Sequence, residues 1–233
     1  MRRFFLGAMA LFAFAPGACQ SEGGTPALDT ENQKASYGIG LQMGGQLAPA
    51  ESRLDMDAFM AGIRDGVGQN EPAVPQAEIQ TALQAFSEAI NAEMSERRTA
   101  EAEANIAEGE TFLAENAQRE EVTVTESGLQ YEVIQEGEGP SPDPQDQVTI
   151  HYRGTLIDGT QFDSSYDRGE PATFGVTGVI PGFSEGLQLM NVGGHYKFYI
   201  PGSLAYGPQG SGNVIGPNET LIFEVELLEI PES

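Results

Sequence analysis

A change of hydrophobic period near residue 121 constrains this fold more than any other sequence feature. Before it, apolar residues recur every three to four positions, as on helices; after it they alternate, as on strands. Thr30 is placed to cap a first helix running to about Leu47, with Ile39, Met43 and Leu47 at spacings of four. That helix carries Gly38, Gly40, Gly44 and Gly45, each costing about 1 kcal/mol of helix propensity. Such glycines make sense where another backbone packs closely. Met56, Phe59, Met60, Ile63 and Val67 give a second helix with the i, i+3, i+4, i+7 spacing. A third begins after Pro75, where Ile79, Leu83, Phe86, Ile90 and Met94 form one stripe. From Ser95 to Gln118 the chain is mostly Ala, Glu and Arg, polar all round. Some 40 residues at about 1.5 Å each extend about 60 Å. The pattern predicts an arm, packed at its apolar first half and bridging solvent at its second.

Beyond Glu121 the texture is that of a sheet. Residues 129–134 alternate, and the run from Gly137 to Pro142 breaks the strand. Val148 to Tyr152 starts another strand, followed by an Asp158-Gly159 hairpin turn. Strands are expected again at Ala172–Val176, Tyr196–Ile200 and Leu221–Leu228. Between them Pro181 to Met190 reads as a short helix with Phe183, Leu187 and Met190 on one face. The expected class is α+β: an all-helical N-terminal segment with a long linker helix, then an antiparallel half-barrel sheet wrapped on one short helix.

The first residues read as an address. Met1-Arg2-Arg3 precedes an apolar run from Phe4 to Ala15 and then Pro16-Gly17-Ala18-Cys19, the layout of a secretory signal peptide over 1–18. The run is shorter than the roughly 20 residues that span a bilayer as a helix. Gly17-Ala18-Cys19 resembles the end of a bacterial lipobox, in which Cys19 becomes lipidated, although Pro16 departs from that pattern. Ordinary cleavage after Gly17 also satisfies the small-residue rule. Residues 19–29 then form a flexible tether, and Gln20 after the cysteine points to the outer membrane if Cys19 is lipidated. On either route the mature protein works outside the cytoplasm, in the periplasm.

Eleven Lys and Arg against 35 Asp and Glu give a net charge of −24, which argues against nucleic acid as a partner. A single cysteine excludes an internal disulfide and a multi-cysteine zinc site. With only His151 and His195, a histidine metal cluster is not expected, and both read as structural or exposed. No P-loop or Gly-x-Ser-x-Gly elbow is present, so neither a cofactor nor a metal is expected. The helical stripes are too small to bury themselves, which favours a homodimer through residues 30–95 over packing back on the C-terminal half.

Five C-terminal strings stand out: Val148 to Leu156, Gly159 to Ser165, Val179-Ile180-Pro181-Gly182-Phe183, Ala205-Tyr206-Gly207 and Asn218 to Leu227. Read together, they resemble the FKBP-type prolyl isomerase domain over Gly128 to Ile230. The N-terminal half is similar to the helical segment of the Mip-like bacterial members, through Tyr37 to Gly40 and Phe59 to Ile63. That subfamily is exported, homodimeric and linked by a long helix. The expected division is a helical dimerisation domain with its linker over 30–120 and an isomerase domain over 121–233.

The resemblance implies a pocket walled by Tyr152, Phe162, Phe183, Tyr206 and Phe223, with Val179 and Ile180 between them. Phe183 stands where many family members have Trp, and Ala172 where the family is often aromatic, which lowers one wall. In the Gly- and Ser-rich loop from Pro208 to Pro217 a family pocket position falls near Ser211, and Val214 and Ile215 make an apolar tip. The Ile180 N–H and the Tyr206 hydroxyl would hold substrate carbonyls. Asp163 would lie beside the rotating amide, fixed by Arg168 and Tyr152. Implied partners are proline-containing unfolded or exported proteins and macrolide inhibitors, besides a membrane tether through Cys19. The implied activity is cis–trans isomerisation of Xaa-Pro bonds. The alternative is a dimeric periplasmic chaperone whose isomerase domain mainly binds clients, with Met43, Met56, Met60 and Met94 offering an adaptable surface.

Overall fold

The capping signal at Thr30 sets the first helix. The Thr30 hydroxyl accepts from the Gln33 N–H, and the Gln33 side chain accepts from the Thr30 N–H, a complete capping box. In this computed structural model residues 27–231 are described, so the signal-peptide reading, most of the tether and the lipidation of Cys19 lie outside the described residues. The chain divides into two units with the boundary between Glu71 and Pro72.

The first unit holds α1 (Glu31–Leu47) and α2 (Met56–Gly68), joined by one stretch of 3-10 helix. Asp55 caps α2 by accepting from the Ala58 N–H, and Gln69 ends it in the left-handed conformation. Neither helix has a buried residue. A Cβ added at Gly38, Gly40, Gly44 or Gly45 would meet nothing within 4 Å. The close backbone approach expected there is therefore not supplied by the described residues of this chain.

The second unit opens with α3 (Gln76–Asn116), 41 residues long as its composition predicts. It continues through β1 (Val122–Val124), β2 (Gln130–Gln135), β3 (Gln147–Leu156) and β4 (Gln161–Ser164). After these come α4 (Ser165–Arg168), β5 (Ala172–Gly175), α5 (Pro181–Gln188), β6 (His195–Ile200) and β7 (Leu221–Glu229). The strands form one antiparallel sheet in the order β1-β2-β6-β7-β3-β4, and β5 shares the β3 edge with β4. Alternation places Val148, Ile150, Tyr152 and Leu156 of β3 on one face. Leu221, Phe223, Val225 and Leu227 of β7 join them there, with Phe198 and Ile200 of β6. α5 lies across this face and buries Phe183 and Leu187. The sheet wrapped on one short helix is as expected; β1, β4 and α4 are additional elements too short to show a period.

The arm departs from expectation. Its polar second half does not bridge solvent but is docked along the sheet and its loops. Gln130 donates to the Leu113 carbonyl at 2.8 Å, and Asn116 donates to the Gln130 side chain at 2.9 Å, inside the structure. Gly109 is buried against Thr220 with no room for a Cβ. Phe112 meets the Tyr199 ring at 6.0 Å between centroids. The apolar first half, by contrast, leaves Leu83 at 55% and Met94 at 42% exposure. The docking uses amide hydrogen bonds, one missing side chain and a single ring contact, none of which writes a hydrophobic stripe.

Candidate active site

A cavity of about 660 Å³ opens on the core face of the sheet. Its floor is Phe183, brought by α5 and only 4% exposed. Phe223 of β7 packs edge-on to it at 4.8 Å, and Tyr152 of β3 stands at 6.3 Å. Phe162 of β4 meets Phe223 edge-on at 5.4 Å. These rings approach closely because Gly154, between Phe162 and Phe223, has no side chain; a Cβ there would run into both rings. Register explains the juxtaposition, since Gly154 pairs with Phe223 on one side and Asp163 on the other.

The segment before α5 supplies Val179 and Ile180 to the wall. Ile180 is the residue before the helix, and its carbonyl accepts from the Phe183 and Ser184 N–H groups, both at 3.0 Å. Its own N–H takes no part in the turn, as at any helix start. The Gly- and Ser-rich loop adds Ser211, Val214 and Ile215, and Tyr206 closes the rim. Tyr206 is 41% exposed, and its hydroxyl has no hydrogen-bond partner among the described residues.

One charged group, Asp163 of β4, reaches the cavity wall. Its carboxylate accepts from the Tyr152 hydroxyl, from the Arg168 guanidinium and from the Ser164 N–H at 2.8 Å. Arg168 also donates to the Tyr152 hydroxyl at 2.9 Å and lies over its ring, 5.4 Å from the centroid. Burial pushes the Asp163 carboxyl up, but the donors outweigh it and hold it below the ordinary carboxylate range. Burial and the Asp163 bond push the Tyr152 hydroxyl up, so it stays protonated and donates. The result is an ionised, oriented carboxylate at the edge of an apolar aromatic cavity.

Eleven of the residues picked out for the pocket (Tyr152, Phe162, Asp163, Val179, Ile180, Phe183, Tyr206, Ser211, Val214, Ile215 and Phe223) line this one cavity. Arg168 is not on the wall; it stands behind Asp163 and Tyr152. Ala172 is not on the wall either. Phe174, two residues along the same strand, lines the cavity and meets Tyr152 edge-on at 5.8 Å, so the strand does contribute an aromatic side. Alternation would have found it, because Ala172 and Phe174 face the same way. His151 bonds the Ser165 hydroxyl at 3.0 Å and stacks on Tyr166, and His195 meets Glu224 at 3.0 Å, both away from the cavity.

Comparison with known proteins finds relatives across both halves of the chain. The family model described as "FKBP-type peptidyl-prolyl cis-trans isomerase" matches residues 139–228. The one described as "Domain amino terminal to FKBP-type peptidyl-prolyl isomerase" matches residues 32–133. The FKBP-type 22 kDa peptidyl-prolyl cis-trans isomerase of Escherichia coli is 51% identical over 209 residues, covering 88% of this chain and 98% of that protein. The outer membrane protein MIP of Legionella longbeachae is 37% identical over 224 residues, 96% of each chain. The crystal structure of FkpA from Escherichia coli matches with a TM-score of 0.69 and 37% identity, covering 88% of this chain and 98% of that one. These likenesses favour catalysis over a purely chaperoning role. The chain therefore belongs to the FKBP-type peptidyl-prolyl cis–trans isomerases, enzymes that accelerate rotation about Xaa-Pro bonds.

Proposed function

We propose that the aromatic cavity takes the prolyl ring of an exported client, with Asp163, Tyr152 and Tyr206 as its catalytic residues. The carrying observation is the ionised Asp163, fixed by two side-chain donors and the Ser164 N–H at the lip of a cavity walled mainly by aromatic and aliphatic side chains. Prolyl rotation is slow because the C–N bond is partly double, with a barrier of about 20 kcal/mol. No covalent bond is made or broken. In the twisted transition state resonance is lost and the carbonyl gives up charge separation, so a dry apolar wall favours it over the hydrated planar amide.

Phe183, Phe162, Phe223, Val179 and Ile215 would supply that wall. The Ile180 N–H and the Tyr206 hydroxyl, each left without a bond in its own element, would hold the substrate carbonyls. Asp163 would act electrostatically on the rotating amide rather than as a base, because its depressed pKa makes it a poor proton acceptor at neutral pH. Arg168 serves by holding that carboxylate. In this reading residues 121–233 are the catalytic part and residues 30–120 the dimerising and linking part.

The reading extends to a homodimer through residues 30–95. Its support is the exposed apolar content of α1 and α2, such as Ile39 at 61% and Val67 at 83%, which no described residue of the first unit covers. An exported location, through the signal-like residues 1–18 and lipidation at Cys19, accords with a relative named as an outer membrane protein.

Competition tests the pocket. A rapamycin-like macrolide should inhibit isomerisation of a short Xaa-Pro peptide by the full chain, with the peptide competing. Unchanged turnover at saturating macrolide, with no binding by calorimetry, would refute this cavity as the substrate site.

A further inference from the structure

The loop that closes one side of the cavity is held from outside, by α3. Arg98 donates to the Gln209 carbonyl at 2.6 Å and to the Pro208 carbonyl at 3.2 Å. Asn105 donates to the Pro217 carbonyl at 2.9 Å. Arg98 and Asn105 are two turns apart on one face of the helix. Their bonds fall at the two ends of the loop, and the cavity-lining tip lies between.

The loop has little of its own to fix it. Gly207, Gly210 and Gly212 sit at positive φ, where the backbone is permissive, and the internal ties are few. Ser211 and Ile215 bridge each other, and the Asn218 N–H donates to the Gly207 carbonyl at 2.8 Å. Gly216 brings the backbone close enough to Glu101 and Asn105 that a Cβ would crowd both side chains. Between α3 and the loop lies a second cleft of about 260 Å³, and Gly212 to Ile215 wall both it and the aromatic cavity. The tip is thus a thin partition, and its position sets the shape of the substrate pocket.

We infer that Arg98 and Asn105 are positioning residues for the isomerisation, clamping residues 208–217 so that Val214 and Ile215 complete the pocket wall. The inference rests on the aromatic cavity being the substrate site. On it, α3 is a structural part of the active site as well as a linker. The clamp touches neither Asp163, Tyr152 nor Phe183, which are held by β4, β3 and α5. Without it the loop must be ordered by the substrate itself, which weakens binding in proportion to the fraction of time the loop is misplaced. The rotation step is left nearly as fast.

The test uses the full chain with Arg98→Ala, Asn105→Ala and both together, on a short Xaa-Pro peptide. The double variant should raise KM by about fivefold, as for a loop correctly placed a fifth of the time, with kcat nearly unchanged. Arg98→Lys, which still presents a donor, should recover part of the loss. Amide hydrogen exchange should quicken in residues 209–217 and not in β3, β6 or β7. Unchanged KM in the double variant, or a fall in kcat alone, would overturn the inference. So would faster exchange spread through the strands, which marks a merely structural contact. An inactive wild-type chain would instead sink the reading of the cavity on which the inference stands.

Discussion

Asp163 owes its position to β4 and its charge to its neighbours. Because Tyr152 and Arg168 outweigh burial, its folded pKa lies below the unfolded carboxylate value of about 3.9. A depressed carboxylate contributes stability that is present above the unfolded pKa and lost as pH falls through the folded one. The pH profile of kcat/KM should therefore be flat between about pH 5 and 8 as far as this group is concerned, and fall only below about pH 4. A loss centred near about pH 6 would mean that Asp163 is not held as described. At this scale the sequence was legible where residues came in strings. Gly159 to Ser165 brings Phe162 and Asp163, and Val179 to Phe183 brings Val179, Ile180 and Phe183, to one cavity. Phe174 lies outside every one of those strings, and the alternation that joins it to Ala172 runs over only four residues. The place of Arg168 behind the wall depends on α4, a single turn capped by Ser164, which leaves no periodic trace.

Strong periods told most about the elements. α1, α2, α3 and the long strands lie where spacing put them, since each repeats its pattern over two or more turns or across alternating faces. Function of the second half of α3 was misjudged for a physical reason: its docking is polar. Asn116 is 6% exposed, bonded to Gln130 on one side and accepting from Arg119 at 3.0 Å on the other. Gln130 in turn bonds the Leu113 carbonyl, so the buried amides form a closed set. Asn116→Ala would leave the Gln130 carbonyl oxygen buried without its donor, a cost of about 1–3 kcal/mol. Thermal unfolding of the full chain should show that loss. A variant as stable as wild type would mean that water replaces the amide and that the docking is not set by it.

At the scale of the whole molecule, charge and apolar exposure pull in opposite directions. The chain carries a net charge of −24, so copies repel at long range, and its helical unit nevertheless leaves large apolar side chains uncovered. The proposed second copy would bury those apolar faces at the cost of bringing like charges together, a cost that salt would relieve. Sedimentation of the full chain should find a dimer that tightens with salt, and Ile39→Glu with Met60→Glu should give monomers. A wild-type monomer at micromolar concentration would remove the homodimer from this account.

The central claim is that an apolar cavity with one oriented carboxylate speeds prolyl rotation. Its most direct test follows cis–trans relaxation of a short Xaa-Pro peptide with the full chain, wild type beside Asp163→Ala and Tyr206→Phe. The account predicts rapid wild-type turnover, with kcat/KM lowered by about tenfold or more in Asp163→Ala, equivalent to about 1.4 kcal/mol of transition-state stabilisation. Tyr206→Phe, which keeps the ring and loses the hydroxyl, should also lose activity. A folded wild-type chain that leaves the spontaneous rate unchanged, or an Asp163→Ala variant as fast as wild type, would contradict it.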